Sequence, residues 1–329
     1  MRYMNETFIG KTVVLTGAAG FIGSHLADEI IAQGGKVIGI DSLITGRLAN
    51  IHHLQTNPNF TFIEHDLVTQ GVGIVGQLDQ VDVVLHFASP ASPDKYQAHP
   101  VLTYQVNSQV THAILELLHR KFPQATFLFA STSEVYGDPL VHPQPETYWG
   151  NVNPNGARSC YDEAKRMGET ICGVWHREYG MDTRIVRIFN TYGPRLDLDD
   201  GRVIPSFIKA ALAHKPLIIF GDPGKTRSYC YVSDLVSGIL ALAVHENGAG
   251  VTLNLGNPGE YSLSETAQAV YQAVTGEHDP VPFEQFPDRQ DDPTRRKPDI
   301  SRAQLMLNWQ PVVSFEDGIK RTVESVRSS

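Results

Sequence analysis

Cysteine is scarce. Cys160, Cys172 and Cys230 are the only three in 329 residues. Their number is odd and none forms a Cys-x-x-Cys pair, which excludes a disulfide framework and a zinc site of that type. Free thiols acting as small apolar side chains are expected. Basic runs are missing as well. The formal net charge is -9 and the longest basic cluster is Arg295-Arg296-Lys297, which argues against nucleic-acid or membrane-surface binding. No stretch approaches the roughly 18 apolar residues of a membrane span, and the polar amino terminus through Gly10 has no signal-peptide core. A soluble, cytoplasmic chain is the expectation, with the sequon Asn5-Glu6-Thr7 incidental. The 13 histidines are scattered without His-Glu-x-x-His spacing, so no metal is expected. What the chain does have is 41% hydrophobic residues, enough for a sizeable core in one large or two modest domains.

Residues 11–16 form a β-branched run that meets Gly17-Ala18-Ala19-Gly20-Phe21-Ile22-Gly23, and residues 24–32 have helical apolar spacing. That is strand, glycine turn, helix, the arrangement that presents backbone N–H groups to a pyrophosphate. The phosphate charge would sit at the positive end of the helix. Asp41 closes the next strand, where a carboxylate suits the ribose hydroxyls of NAD and repels the extra phosphate of NADP. Further strands over 60–65, 81–86 and 125–130 alternate with helical patterns, predicting an α/β fold: a Rossmann-like doubly wound parallel sheet over residues 1–190. After Asn190 the alternation loosens and proline and glycine punctuate 193–205. A smaller α/β carboxyl-terminal substrate-binding lobe is expected over 191–329, free to interleave with the first. The segment 137–155, rich in proline and aromatics, is expected to be an ordered loop over the substrate pocket.

Tyr161 and Lys165 stand at i and i+4 on one helix face, where an ammonium can lower the pKa of a phenol and let it take a proton from a sugar hydroxyl. Ser131-Thr132-Ser133-Glu134 follows the 125–130 strand directly, at the carboxyl edge where ligands bind in such sheets. His86 has no acidic or cysteine partner near it in sequence and reads as a packed strand-end residue.

The G-x-x-G-x-x-G spacing and the Tyr-x-x-x-Lys helix together resemble the extended short-chain dehydrogenase/reductase superfamily, and within it the NAD-dependent epimerase/dehydratase family. The resemblance implies that Asp66 and Leu67 border the adenine, that Ala88 lines the cofactor channel, and that Thr132 is the hydroxyl partner of Tyr161. Thr132-Ser133-Glu134 narrows the reaction. Related nucleotide-sugar 4,6-dehydratases carry Thr-Asp-Glu there, and serine is far too weak an acid to replace that Asp. In 4-epimerases the Glu position is usually small. Thr-Ser-Glu resembles the UDP-glucuronate decarboxylases, as do Cys160-Tyr161-Asp162-Glu163, Gly193-Pro194-Arg195, Asp200-Gly201-Arg202-Val203, Tyr231-Val232-Ser233-Asp234-Leu235, Asp291-Asp292-Pro293 and Arg296-Lys297-Pro298-Asp299-Ile300. The shared stretches run from Gly17 to Trp309.

That family implies oxidation at C4 by NAD with Tyr161 and Lys165, loss of CO2 from a 4-keto acid, and re-reduction to UDP-xylose. It puts Arg296 by the carboxylate, Ser133 and Glu134 near C5, and Asn190, Arg202 and Arg227 on the uridine diphosphate. It also implies a homodimer built on the helices of Asn107 and Tyr161. Three departures stand out. Gln105 and Ala113 replace a lysine and an asparagine expected near the sugar, and Ser42 follows Asp41 where asparagine is usual. Another NAD-dependent nucleotide-sugar 4-epimerase or dehydratase stays open beside the decarboxylase, as does a non-enzymatic dinucleotide sensor, although such sensors commonly lose the Tyr or Lys.

Overall fold

Short aliphatic runs, buried over most or all of their length except at the edge strand Phe60–Glu64, become the strands of one parallel sheet, because a sheet covered on both faces can hide the side chains of both. The computed structural model describes residues 7–277, 280–288 and 291–328; Asn5 and most of the polar amino terminus lie outside the described residues. The sheet contains β1 (Thr12–Thr16), β2 (Lys36–Asp41), β3 (Phe60–Glu64), β4 (Val83–His86), β5 (Thr126–Thr132), β6 (Thr183–Ile188) and β7 (Thr252–Leu255). Its spatial order is β7-β6-β5-β4-β1-β2-β3, parallel throughout. The direction of winding reverses between β1 and β4, and ligands of such sheets bind in the crevice outside the strand ends at that point.

Alternate side chains of β1 go to opposite faces. Val13 and Leu15 join one core with α1 (Phe21–Ala32), Trp309 and, from the second half of the chain, Leu235 and Ile239. Val14 joins the other core, with Ile114, Leu118, Phe127, Phe129 and Trp175. On the second face, α2 (Pro93–Ala98) and α3 (Pro100–Gln105) lead into a π turn at Val106–Val110, and the cover is that turn with α4 (Thr111–Lys121) and the long α5 (Ser159–Tyr179). A third core forms the smaller lobe, where α6 (Val203–Leu212), α8 (Leu263–Thr275) and α9 (Phe315–Arg327) enclose Tyr192, Tyr229 and Phe315. The intervening α7 (Val232–Val244) belongs to the first core, packed on α1. Both α7 and β7 thus return to the first sheet from beyond residue 190. No helix among the described residues is long and apolar enough to cross a membrane.

Candidate active site

The glycine turn lies at the carboxyl ends of β1 and β4. Gly17 has φ +76°, and a Cβ there would stand 2.7 Å from the Phe87 carbonyl oxygen; a Cβ on Gly23 would stand 2.0 Å from the Gly17 carbonyl oxygen. Only glycine lets the turn close and α1 seat against it. Asp41 accepts hydrogen bonds from the Ala19 N–H (2.9 Å) and the Leu43 N–H (2.8 Å), so the carboxylate fixes the same turn. Burial raises its pKa against the backbone hydrogen bonds from Leu43 and Ala19. Gly17, Gly20, Asp41, Asp66, Leu67 and Ala88 line a small cavity that shares Phe87 and Ser89 with a much larger one. Ile22 faces the larger cavity. Phe21 and Gly23 line neither: Phe21 packs edge-on to His25 and Gly23 is buried behind the turn. A turn too tight for any side chain, opening on a small cavity that runs into a second chamber, fits a dinucleotide.

The larger cavity, of about 670 Å³, brings together Tyr161, Lys165, Thr132, Ser133, Glu134, Asn190, Arg202, Arg227 and Arg296. These residues come from β5 and the turn after it, α5, the β6 end, the start of α6, the short strand Thr226–Ser228 and the loop of Arg296, separated by up to 164 positions in sequence. Tyr161 is buried, and its ring stacks on Tyr96 from α2, with centroids 4.9 Å apart and planes 4° from parallel. Lys165 donates to the Ala130 carbonyl at 2.6 Å, with its Nζ 5.6 Å from the Tyr161 ring centroid.

Here one expectation needs correction. Burial pushes the Tyr161 phenol up, opposed by a hydrogen bond from Thr132 and the charge of Arg202; Lys165 is not among the causes. Burial also lowers Lys165 itself, to about 7. In the protein alone, then, the ammonium does not bring the phenol toward neutrality. Burial thus raises the phenol and lowers the ammonium together.

At the far end stands an ionic cluster. Arg296 grips Glu134 through both terminal nitrogens, one at 2.9 Å. Arg158, the residue just before α5, donates to the same carboxylate at 2.6 Å. Its other terminal nitrogen reaches Asp292 at 3.3 Å, and Asp292 accepts from Arg227 at 2.8 Å. Burial alone would raise Glu134; the charges of Arg296 and Arg158 and their hydrogen bonds outweigh it and bring the carboxyl to about 2. Glu134 is therefore ionised and is no proton donor. Asp162, one residue past Tyr161, is buried and goes the other way, to about 8, raised by burial and by the Glu134 charge against the pull of Arg158 and Arg296.

Arg158 and Asp292 were not singled out by sequence. Asp292 sits in a stretch that carries the family resemblance, and Arg158 is the only charged residue between Glu146 and Asp162, a usable signal. Two other placements differ from expectation. Gln105 and Ala113 line neither cavity, since they lie on α3 and α4, outside the ring of residues drawn in by the strand ends. The 137–155 segment is ordered but lines neither cavity. It holds Arg296 from behind: Gln144, fully buried, donates its N–H to the Lys297 carbonyl (2.9 Å) and accepts the Lys297 N–H on its side chain (2.9 Å). His86 is buried between Phe127 and Phe129. Its Nε2 donates to the Val106 carbonyl and its Nδ1 accepts from Thr16, and burial lowers it to about 4.

The NAD dependent epimerase/dehydratase family model matches residues 13–256. Among curated proteins the chain is similar to UDP-glucuronic acid decarboxylase 1 of Arabidopsis thaliana, 49% identical over 96% of this chain and 70% of that one. It is 44% identical to UDP-glucuronic acid decarboxylase 1 of Xenopus tropicalis, over 96% and 72%. Among solved structures it resembles a UDP-glucose 4-epimerase with UDP-glucose from Thermotoga maritima, with TM-score 0.86, 30% identity and 96% and 99% of the two chains covered. A UDP-glucuronic acid 4-epimerase mutant from Bacillus cereus, in complex with UDP-4-deoxy-4-fluoro-glucuronic acid and NAD, gives TM-score 0.86 at 28% identity, with the same coverage.

Proposed function

This chain belongs to the NAD dependent epimerase/dehydratase family, and from that membership we propose that it decarboxylates UDP-glucuronate to UDP-xylose through a 4-keto intermediate. The observation that carries the reading is the Glu134–Arg296 pair in the same cavity as Tyr161 and Lys165. A guanidinium there suits a sugar carboxylate, Ser133 offers no acid to expel water, and Glu134, held ionised, offers none either.

NAD is the cofactor; Gly17, Gly20, Asp41, Asp66, Leu67 and Ala88 would hold it, and it would supply the acceptor for the C4 hydride and the source of the hydride that is returned. Tyr161 removes the proton of the 4-hydroxyl, with the Thr132 hydroxyl donating to the developing phenolate. Lys165, tethered to Ala130, stays within reach of the same ring. With C4 oxidised, the C6 carboxylate is β to a ketone. The C5–C6 bond breaks, its electrons pass into the C4 enolate, CO2 leaves, and C5 takes up a proton from water, so that the net reaction consumes one proton. Arg296 orients the carboxylate, and its competing hold on Glu134 keeps that grip from becoming too strong for a group that must depart. Arg202 and Arg227, with Asn190, are proposed to hold the diphosphate.

A homodimer and a cytoplasmic location are part of the proposal. What supports the dimer is an apolar stripe left exposed on the two helices concerned: Val101 and Tyr104 on α3, and Met167 and Val174, two turns apart, on α5. What supports the location is that all three cysteines are free.

The test is to incubate the purified NAD-bound protein with UDP-glucuronate and follow product mass and CO2. Decarboxylation to UDP-pentose is expected. Unchanged mass with an inverted C4 would make the chain a 4-epimerase, and no change at all would end the reading.

A further inference from the structure

The charges at the acid end of the cavity do not balance. Arg296, Arg158 and Arg227 face two carboxylates, Glu134 and Asp292. Glu134 is shared by two guanidiniums, while Arg296 has both terminal nitrogens committed to it. An arginine so occupied cannot also take a substrate carboxylate in a two-pronged grip. Were Arg296 simply to let go, a carboxylate only 15% exposed would lose its main partner, and that is costly. Arg158 removes the difficulty. It is buried, already bonded to Glu134 at 2.6 Å, and anchored on its other side by Asp292, which Arg227 holds in turn. The buried Nε–H groups of Arg158 and Arg296 have no acceptor among the described residues, so both guanidiniums retain donor capacity.

We propose that Arg158 is a positioning and specificity residue: it retains Glu134 when Arg296 transfers to the substrate carboxylate, so that two guanidiniums serve first one carboxylate and then two. When CO2 leaves, Arg296 loses its second partner and returns to Glu134. Selection for an acidic sugar then lies in a charge exchange completed by the ligand. The neutral pentose product cannot drive that exchange. Asp162 does not cancel the surplus charge at neutral pH, since burial and the Glu134 charge keep its proton on. This inference rests on the decarboxylase reading.

The test uses NAD-bound protein carrying Tyr161→Phe, so that ligands are bound without turnover, with affinities measured by calorimetry. Arg158→Met is expected to weaken UDP-glucuronate at least about 10-fold and UDP-xylose less than about 2-fold, because only the acid needs Arg296 released. Arg158→Lys should recover part of the loss. In a Glu134→Gln background Arg296 is free from the start, and Arg158→Met should then cost UDP-glucuronate less than about 2-fold. Equal loss for both ligands, no loss for either, or a loss undiminished by Glu134→Gln would each overturn the proposal. NAD content and the melting curve of each variant separate misfolding from these outcomes, with Arg158→Lys carrying the comparison if the methionine variant fails to fold. Wild-type protein that releases no CO2 from UDP-glucuronate would remove the parent reading and this inference together; wild-type activity with equal ligand losses would remove this inference alone.

Discussion

Asp162 shows how one side chain can tie stability to the site. Its carboxyl is buried beside Glu134 and holds its proton to about pH 8, against an ordinary value of 3.8. Between those two values the native state binds more protons than the unfolded one, so this residue makes stability fall as pH rises through that window. Asp162→Asn abolishes the term. The ligand-free variant is expected to melt higher than wild type at pH 8, with the gap shrinking toward pH 5, as thermal scans across that range will report. Lys165 has the opposite slope in a different window, since its pKa falls from 10.5 to about 7, and it is common to both proteins. For Tyr161, replacement by Phe should lower CO2 release by about 10²–10⁴-fold, the usual weight of a positioned proton acceptor, with NAD still bound in the purified protein. Tyr161, Lys165 and Glu134 were legible in sequence because each belongs to a short local pattern. Arg158 and Asp292 were not, because their meaning is the contact between positions 134 apart, and the direction of the Tyr161 shift depends on burial, which no i, i+4 spacing reports.

At the scale of elements, the glycine turn makes the sharpest demand. A methyl on Gly23 would stand 2.0 Å from a carbonyl of the turn, so α1 would have to lift from β1. Gly23→Ala is expected to lose bound NAD and to melt several degrees lower, consistent with the roughly 1–3 kcal/mol typical of overpacking, and cofactor absorbance with differential scanning will show both. Strand, turn and helix here could be read in advance because periodicity and glycine spacing agree. The 137–155 loop could be read as ordered but not placed. Its anchor, Gln144, bonds to the backbone of Lys297 across 153 positions, and the bonds that fix a loop are invisible until its partner is known. Gln105 and Ala113 likewise line neither cavity, a placement that position along a helix does not report.

At the scale of the molecule, the exposed stripe on α3 and α5 predicts that Met167→Glu shifts the protein toward monomer in sedimentation velocity, since a charge in an apolar helix interface goes unpaired. A wild type already monomeric at micromolar concentration would overturn the dimer. The alternation that announced the first sheet stops near residue 190, yet the sheet does not. β7 lies at Thr252–Leu255 and pairs with the last four residues of β6. Between them the chain builds part of another lobe. During synthesis, at about 5–20 residues per second, the stretch from 189 to 251 takes roughly 3–13 s to make. For those seconds β6 is a bare strand edge on a nascent chain, of the kind that templates unwanted pairing. The emerging polypeptide therefore passes through an interval in which a holding chaperone has something to hold, and a fragment ending at residue 190 would remain in that interval for good.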